Sequence, residues 1–299
     1  MDGILCINKP QDFTSFDVVA KLRGILKTRK IGHSGTLDPM ATGVLPVLVG
    51  TATKACDLLP DQDKGYRVRF RLGLSTDTQD ITGRVLSQSD LRPGEAEICR
   101  AAESFRGEGM QVPPMYSAVK IGGRKLCDLA RQGITVERPA RPITVRDIRV
   151  LGVEGDEVEM EVFCSKGTYV RTICHDMGRL LGCGGTMTAL TRILACGFHL
   201  DDCLTLEEVE ELMAAGKIEQ KLLPVERAFA AYPAVRLSER AFFLFCNGAK
   251  LSLDRIACPA AAGDLRVLRE DGAFGGLGYR DEEKGELRIR KLFLGEGIL

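Results

Sequence analysis

Two hydrophobic periods alternate along the chain, and the switches between them mark its elements. Gly3–Asn8 (GILCIN) is a short apolar run that predicts a strand ending at Lys9-Pro10. From Thr14 the spacing changes to that of a helix, with Val18, Val19, Leu22, Ile25 and Leu26 on one stripe and Thr14 or Ser15 as N-cap. After Gly43 the run VLPVLVG predicts a buried strand. Residues Gly65–Leu74 alternate, with Tyr66, Val68, Phe70 and Leu72 on one face and Arg67, Arg69 and Arg71 on the other, the pattern of a half-buried strand. Gly94–Phe105 returns to the helical period through Ile98, Ala101, Ala102 and Phe105. Two further strands, Ile143–Val150 and Val158–Cys164, are joined by the turn GVEGDE, and SKGTYVRTICHDMGRLLGCGG reads as a strand end, a glycine turn and an amphipathic helix. LTLEEVEELMAAG is a capped helix, and Pro224 to Pro233 a connector. From Ala234 the chain changes character to short glycine-rich strands. The division this implies is a large α+β domain over 1–233 and a small β-rich domain over 234–299.

Composition narrows the class. The 299 residues are 44% hydrophobic, ample for a core, and 41 basic residues balance 41 acidic ones, so net charge carries no sign of a nucleic-acid partner. Distribution does. Between Pro114 and Val150 eight Lys or Arg stand against three Asp or Glu, whereas Asp201–Glu211 holds six acids and no base. A neutral protein with such a division can offer a basic strip to phosphates. Eleven cysteines lack any C-x-x-C spacing, and three histidines give poor support for a zinc site, so reduced, mostly buried thiols are expected. The opening MDGILCINKP does not read as a secretory leader, and no apolar run approaches the roughly 20 residues of a membrane helix. A cytoplasmic protein is the expectation.

The candidate chemistry sits in GHSGTLDPMATGVLPVLVG, Gly32 to Gly50. It sets one carboxylate, Asp38, in a loop too rich in Gly and Pro for a helix. Pro39 fixes its own φ and drives Asp38 toward extended backbone, while Ser34 and Thr36 offer hydroxyls to tie the turn down. Taken alone, such an Asp is more often a turn or capping residue than a nucleophile on stiff backbone. Tyr66 is by pattern a core-facing aromatic. Lys27, Arg29 and Lys30 suit a helix C-terminus as well as an RNA contact. Tyr169 and Arg171 lie two apart, so on extended backbone they would point to one site.

The Gly32–Gly50 string closely resembles the active-site motif of the TruB-like pseudouridine synthases, the stand-alone bacterial enzymes that act on uridine 55 of tRNA. Further matches are the opening strand with Lys9-Pro10, the K-x-Y-x-V context of Tyr66, the turn STDTQDITG, PPMYSAVK with GRKLCDLARQG and VER, KGTYVR, and TALTRILACGF. The resemblance is strong from Gly3 to Phe198 and loose beyond. It implies a mixed, mainly antiparallel sheet flanked by helices and loops, a flexible thumb insertion over about 114–142, and a small C-terminal RNA-binding-like domain. Cys127 departs from the thumb pattern, where an aromatic is common.

By that resemblance Asp38 is catalytic, Arg171 is its ion-pair partner, and Tyr66 stacks on the target uracil and relays a proton. Tyr169 and Leu190 would line the base pocket, with Arg192 beside Leu190. His33 would fill the space left by the flipped base, Asp80 would join the charge network, and Lys9 would support the loop from beneath. The implied substrate is the T-arm stem-loop of tRNA, turned over by a monomer with no protein partner, membrane, metal or cofactor. Two rival classes differ in what they require. A glycosidase needs a second carboxylate across the scissile bond, for which Asp80 is the one nominee, and its spacing does not support the role. A non-catalytic tRNA-binding or tRNA-folding protein would need the basic thumb and small domain but not Asp38, Tyr66 and Arg171.

Overall fold

The computed structural model describes residues 1–59, 63–260 and 263–294. Its larger sheet is built from β1 (Gly3–Lys9), β2 (Ile31–His33), β3 (Thr42–Val49), β4 (Lys64–Leu72), β7 (Gly107–Gln111), β10 (Arg141–Glu154), β11 (Glu157–Cys164), β12 (Gly185–Ala195) and β13 (Phe198–His199). The order is β1-β3-β12-β4-β11-β10-β7, with β2 added to β3 and β13 to β12. Only β3 and β12 run parallel, so the sheet is mixed and mainly antiparallel. A small hairpin, β5 (Leu74–Thr76) and β6 (Val85–Gln88), stands beside it, and the thumb segment carries the ribbon β8 (Lys120–Ile121) and β9 (Arg124–Lys125).

The apolar runs of β1 and β3 have no polar face because both sides are covered. Ile4, Cys6, Val44 and Leu48 pack on one side, and Leu5, Ile7, Leu45, Val47 and Val49 on the other. The second group meets helices α1 (Ser15–Ile25) and α5 (Leu206–Ala214) through Val18, Val19, Leu22, Leu206 and Val209. Thr14 caps α1 and Thr205 caps α5, each in a reciprocal capping box with the acid three residues on. Helices α2 (Glu95–Glu103) and α4 (Val170–Leu180) cover the buried face of β4 and β11. A short α3 (Leu126–Arg131) lies in the thumb.

The outer face of β4 is not free positive surface. Arg67, Arg69 and Arg71 meet Glu161, Glu159 and Asp156 at 2.9, 3.3 and 2.8 Å, because β11 alternates in step with β4. Such exposed pairs add little stability, yet they neutralise the stripe. The smaller sheet is β14 (Ala234–Leu237), β15 (Leu251–Ser252), β16 (Asp264–Arg269), β17 (Phe274–Asp281) and β18 (Glu286–Leu292), in the order β14-β16-β17-β18-β15, with α6 (Glu239–Cys246) packed on it. All eleven cysteines are free thiols. Among the described residues no helix is long and apolar enough to cross a membrane.

Helix α4 sits unusually close to β12, and glycine is the reason. A Cβ on Gly178 would fall 2.0 Å from the Gly185 amide nitrogen. Gly178→Ala therefore gains helix propensity but forces α4 off the strand, and urea denaturation is expected to show a net loss of about 1–3 kcal/mol.

Candidate active site

The loop joining β2 to β3 has little internal bonding, so its shape comes from what lies beneath it. Lys9, fully buried, donates from Nζ to the carbonyls of Pro10, Phe13 and Pro39 at 2.8, 2.6 and 3.1 Å. Burial pulls its pKa down to about 8, which still leaves an ammonium at neutral pH with all three N–H groups satisfied. Ser15, at the start of α1, accepts from the Leu37 amide at 2.9 Å. Arg192, also fully buried, donates from Nε to the Val44 carbonyl at 2.7 Å and reaches those of Thr36 and Gly35 at 3.4 Å. Gly43 permits this approach: at φ +101° its Cβ would lie 2.2 Å from the Arg192 carbonyl.

So fastened, Asp38 faces Arg171 across 3.2 Å. Arg171 is 5% exposed and divides its guanidinium among three acceptors: Asp38, Asp80 at 3.4 Å, and the Tyr116 carbonyl at 2.6 Å. Asp80 is held by the Thr78 hydroxyl at 2.8 Å and the Thr82 amide at 3.0 Å. The turn that carries it docks on α4 through Thr172 and Gln79, 2.7 Å apart. One cation between two carboxylates is a compact charge relay with its geometry fixed from both sides.

Electrostatics here go against the simple expectation for an Asp beside an Arg. The Asp38 side chain is 37% exposed, but the surface it sees is the pocket wall. Burial raises its pKa above the ordinary carboxylate range, Arg171 and Lys9 oppose the rise, and Asp80 adds to it. The result is a carboxylate more basic than one in water. Burial lifts the Tyr66 phenol to about 12 against the pull of neighbouring Arg192, so the hydroxyl carries its proton at neutral pH. His33 is pushed down by burial and is neutral.

These groups share a cavity of about 380 Å³, large enough for a nucleoside. Its lining includes Asp38, Tyr66, Arg171, His33, Tyr169 and Leu190. Asp80 and Lys9 do not line it: Asp80 stands behind Arg171, and Lys9 lies under the loop. Among the described residues no three His, Cys, Asp or Glu side chains are grouped to hold a metal.

Comparison with known proteins follows the same segments. A model of the TruB family pseudouridylate synthase N-terminal domain matches residues 23–170, and one of the tRNA pseudouridylate synthase B C-terminal domain matches 171–230. "tRNA pseudouridine synthase B" of Clostridium tetani is 43% identical over 285 residues, covering 95% of this chain and 97% of its own. The protein of that name from Salmonella typhi is 41% identical over 300 residues, covering 97% and 94%. This chain belongs to the TruB family of pseudouridylate synthases. A crystal structure of a Cbf5-Nop10-Gar1 complex contains a similar chain, at TM-score 0.77 and 26% identity, covering 98% of this chain and 85% of that one. The TruB N-terminal match thus contains Asp38 and ends one residue before Arg171, so the ion pair ties the two matched segments together.

Two features of this TruB-family site differ from the sequence expectation or lay outside it. Tyr169 is on extended backbone as expected, but Arg171 is not. Tyr169 is the N-cap of α4 and Arg171 its second residue, and they converge because the guanidinium passes 5.9 Å from the Tyr169 ring centre. Tyr169 is itself clamped by Gln111 of β7, whose amide accepts from the Tyr169 N–H at 2.8 Å and donates to its carbonyl at 3.1 Å. Gln111 and the loop-holding role of Arg192 carried no chemical motif. A charge in the inward register of β12, two residues from Leu190, was the available signal for Arg192.

Replacing Arg192 by Met should leave the loop carbonyls of Gly35 and Thr36 and the β3 carbonyl of Val44 without this donor. We expect a stability loss of about 3 kcal/mol or more, as for a buried charged hydrogen-bond donor removed from its acceptors. Denaturant unfolding measures it, and Arg192→Lys, which keeps the charge but not the fork, should recover only part.

Proposed function

We propose that this chain converts uridine 55 in the T loop of tRNA to pseudouridine, with Asp38 as nucleophile on a nucleotide flipped into the pocket. The observation that carries the reading is a carboxylate, Asp38, ion-paired to Arg171 in the lining of a nucleoside-sized cavity walled by Tyr66, Tyr169 and Leu190. Aromatic walls hold a flat base by stacking and leave its edge free for recognition. Family membership, and relatives named for tRNA, support the substrate.

The reaction breaks the C1′–N1 bond, turns the uracil, and forms a C1′–C5 bond. C5 loses a proton and N1 gains one, so atoms and electrons balance without an external reagent. Asp38 attacks the target nucleoside and leaves again when the new bond is made, as carboxylate nucleophiles do elsewhere. Its raised basicity favours attack, and Arg171 keeps it aimed. Tyr66 holds a proton at rest, so it takes up the C5 proton only by passing its own onward; a relay fits better than a standing base. Neutral His33 at the pocket edge can occupy the gap left in the stacked RNA without carrying charge into it.

The excess of five positive charges between Pro114 and Val150 supports binding of the T arm by this chain alone, as a monomer in the cytoplasm, where tRNA is found. The test is to incubate the protein with an unmodified tRNA transcript and map pseudouridine along it. Product at position 55, and none when that uridine is replaced by cytidine, is expected. Product confined to other positions would refute the T-loop assignment, and none anywhere would refute the activity.

Turnover requires ionised Asp38, and its folded pKa lies above the ordinary value of about 3.9. The acid limb of the single-turnover rate should therefore fall at a higher pH than an exposed Asp would give. Arg171→Gln removes the favourable charge, so in that variant the limb should move further toward neutral pH.

A further inference from the structure

The C-terminal end of α1 forms an open cleft lined by Arg23, Gly24, Lys27, Thr28 and Arg29. Its cations differ from those of the β4 stripe, where Arg67, Arg69 and Arg71 each face a carboxylate. Among the described residues Arg23, Lys27 and Arg29 have no carboxylate within ion-pair distance, whereas Lys21 on the same helix pairs with Glu210 at 3.3 Å.

The Arg23 guanidinium lies over the exposed ring of Phe16, 5.6 Å from its centre, and donates from Nη2 to the Ile31 carbonyl at 3.5 Å, at the start of β2. Lys27, exposed, follows the C-cap Leu26 at φ +51°, the left-handed position where glycine is the low-cost residue.

The cleft is joined to the pocket along the chain: Arg29 lies two residues before β2, whose last residue, His33, lines the cavity. Four residues of extended chain span about 13 Å at most, the reach of a few nucleotides. We propose that Arg23, Lys27 and Arg29 bind backbone phosphates of the RNA segment adjoining the flipped nucleotide, extending the RNA footprint past the His33 side of the pocket. This rests on the tRNA reading above.

The test is the salt dependence of binding to unmodified tRNA for the wild type, Lys27→Gly, Arg29→Gln, the double variant, and Lys21→Gln as a paired-cation control, together with their melting temperatures. Each phosphate contact removed should lower the slope of log affinity against log salt by about one, so the double variant should lose about two and bind more weakly. Lys27→Gly should melt no lower than the wild type because the left-handed strain is relieved, which separates binding from folding. An unchanged slope in the double variant, or an equal drop in Lys21→Gln, would overturn the proposal. Wild-type protein that failed to bind tRNA at all would instead overturn the reading on which it rests.

Discussion

A carboxylate on a glycine- and proline-rich loop is only as well placed as the groups that hold the loop, and here, for Asp38, those groups are two buried cations. Lys9 and Arg192 reach it from different strands and fix it by its carbonyl oxygens. Fully buried cations are costly unless every donor is used. Lys9 uses all three, and Arg192 is spread over three carbonyls. The arrangement makes loop shape and burial conditions of each other: misplaced carbonyls would strand the charges, and the charges hold the carbonyls in place. Gly43 follows from this, since a side chain there would close the gap through which β3 and Arg192 meet.

Arg171 extends the same logic into the pocket. It couples Asp38 to Asp80 and to the Tyr116 carbonyl, so the Asp38 loop, the Thr78–Thr82 turn and the segment that begins near Tyr116 are fastened to one guanidinium. A more basic Asp38 and a protonated Tyr66 are both consequences of withdrawing these groups from water. The pocket thus sets a more basic carboxylate beside a neutral aromatic wall.

Much of this was legible in the sequence, for reasons that differ by residue. The β4 alternation was readable because one face is core, and the α1 start because Thr14 is a local signal. Asp38, Tyr66 and Arg171 were found through motif resemblance, and they meet in one cavity. The Arg67, Arg69 and Arg71 stripe misleads when β4 is read alone, since its neutralising acids lie about ninety residues away, on β11 and in the turn before it. Gln111 and Arg192 were opaque because their partners are backbone groups, which any sequence supplies. The convergence of Tyr169 and Arg171 depends on a helix beginning at Val170, a boundary that residue spacing does not fix.

The central claim is that Asp38 performs the bond exchange while the surrounding architecture binds the RNA. The most direct measurement is tritium release from tRNA labelled at uracil C5, made in parallel with tRNA binding, for the wild type and Asp38→Asn. The account predicts release by the wild type, none by the variant, and binding retained in both. Release by Asp38→Asn at a rate near that of the wild type would contradict it.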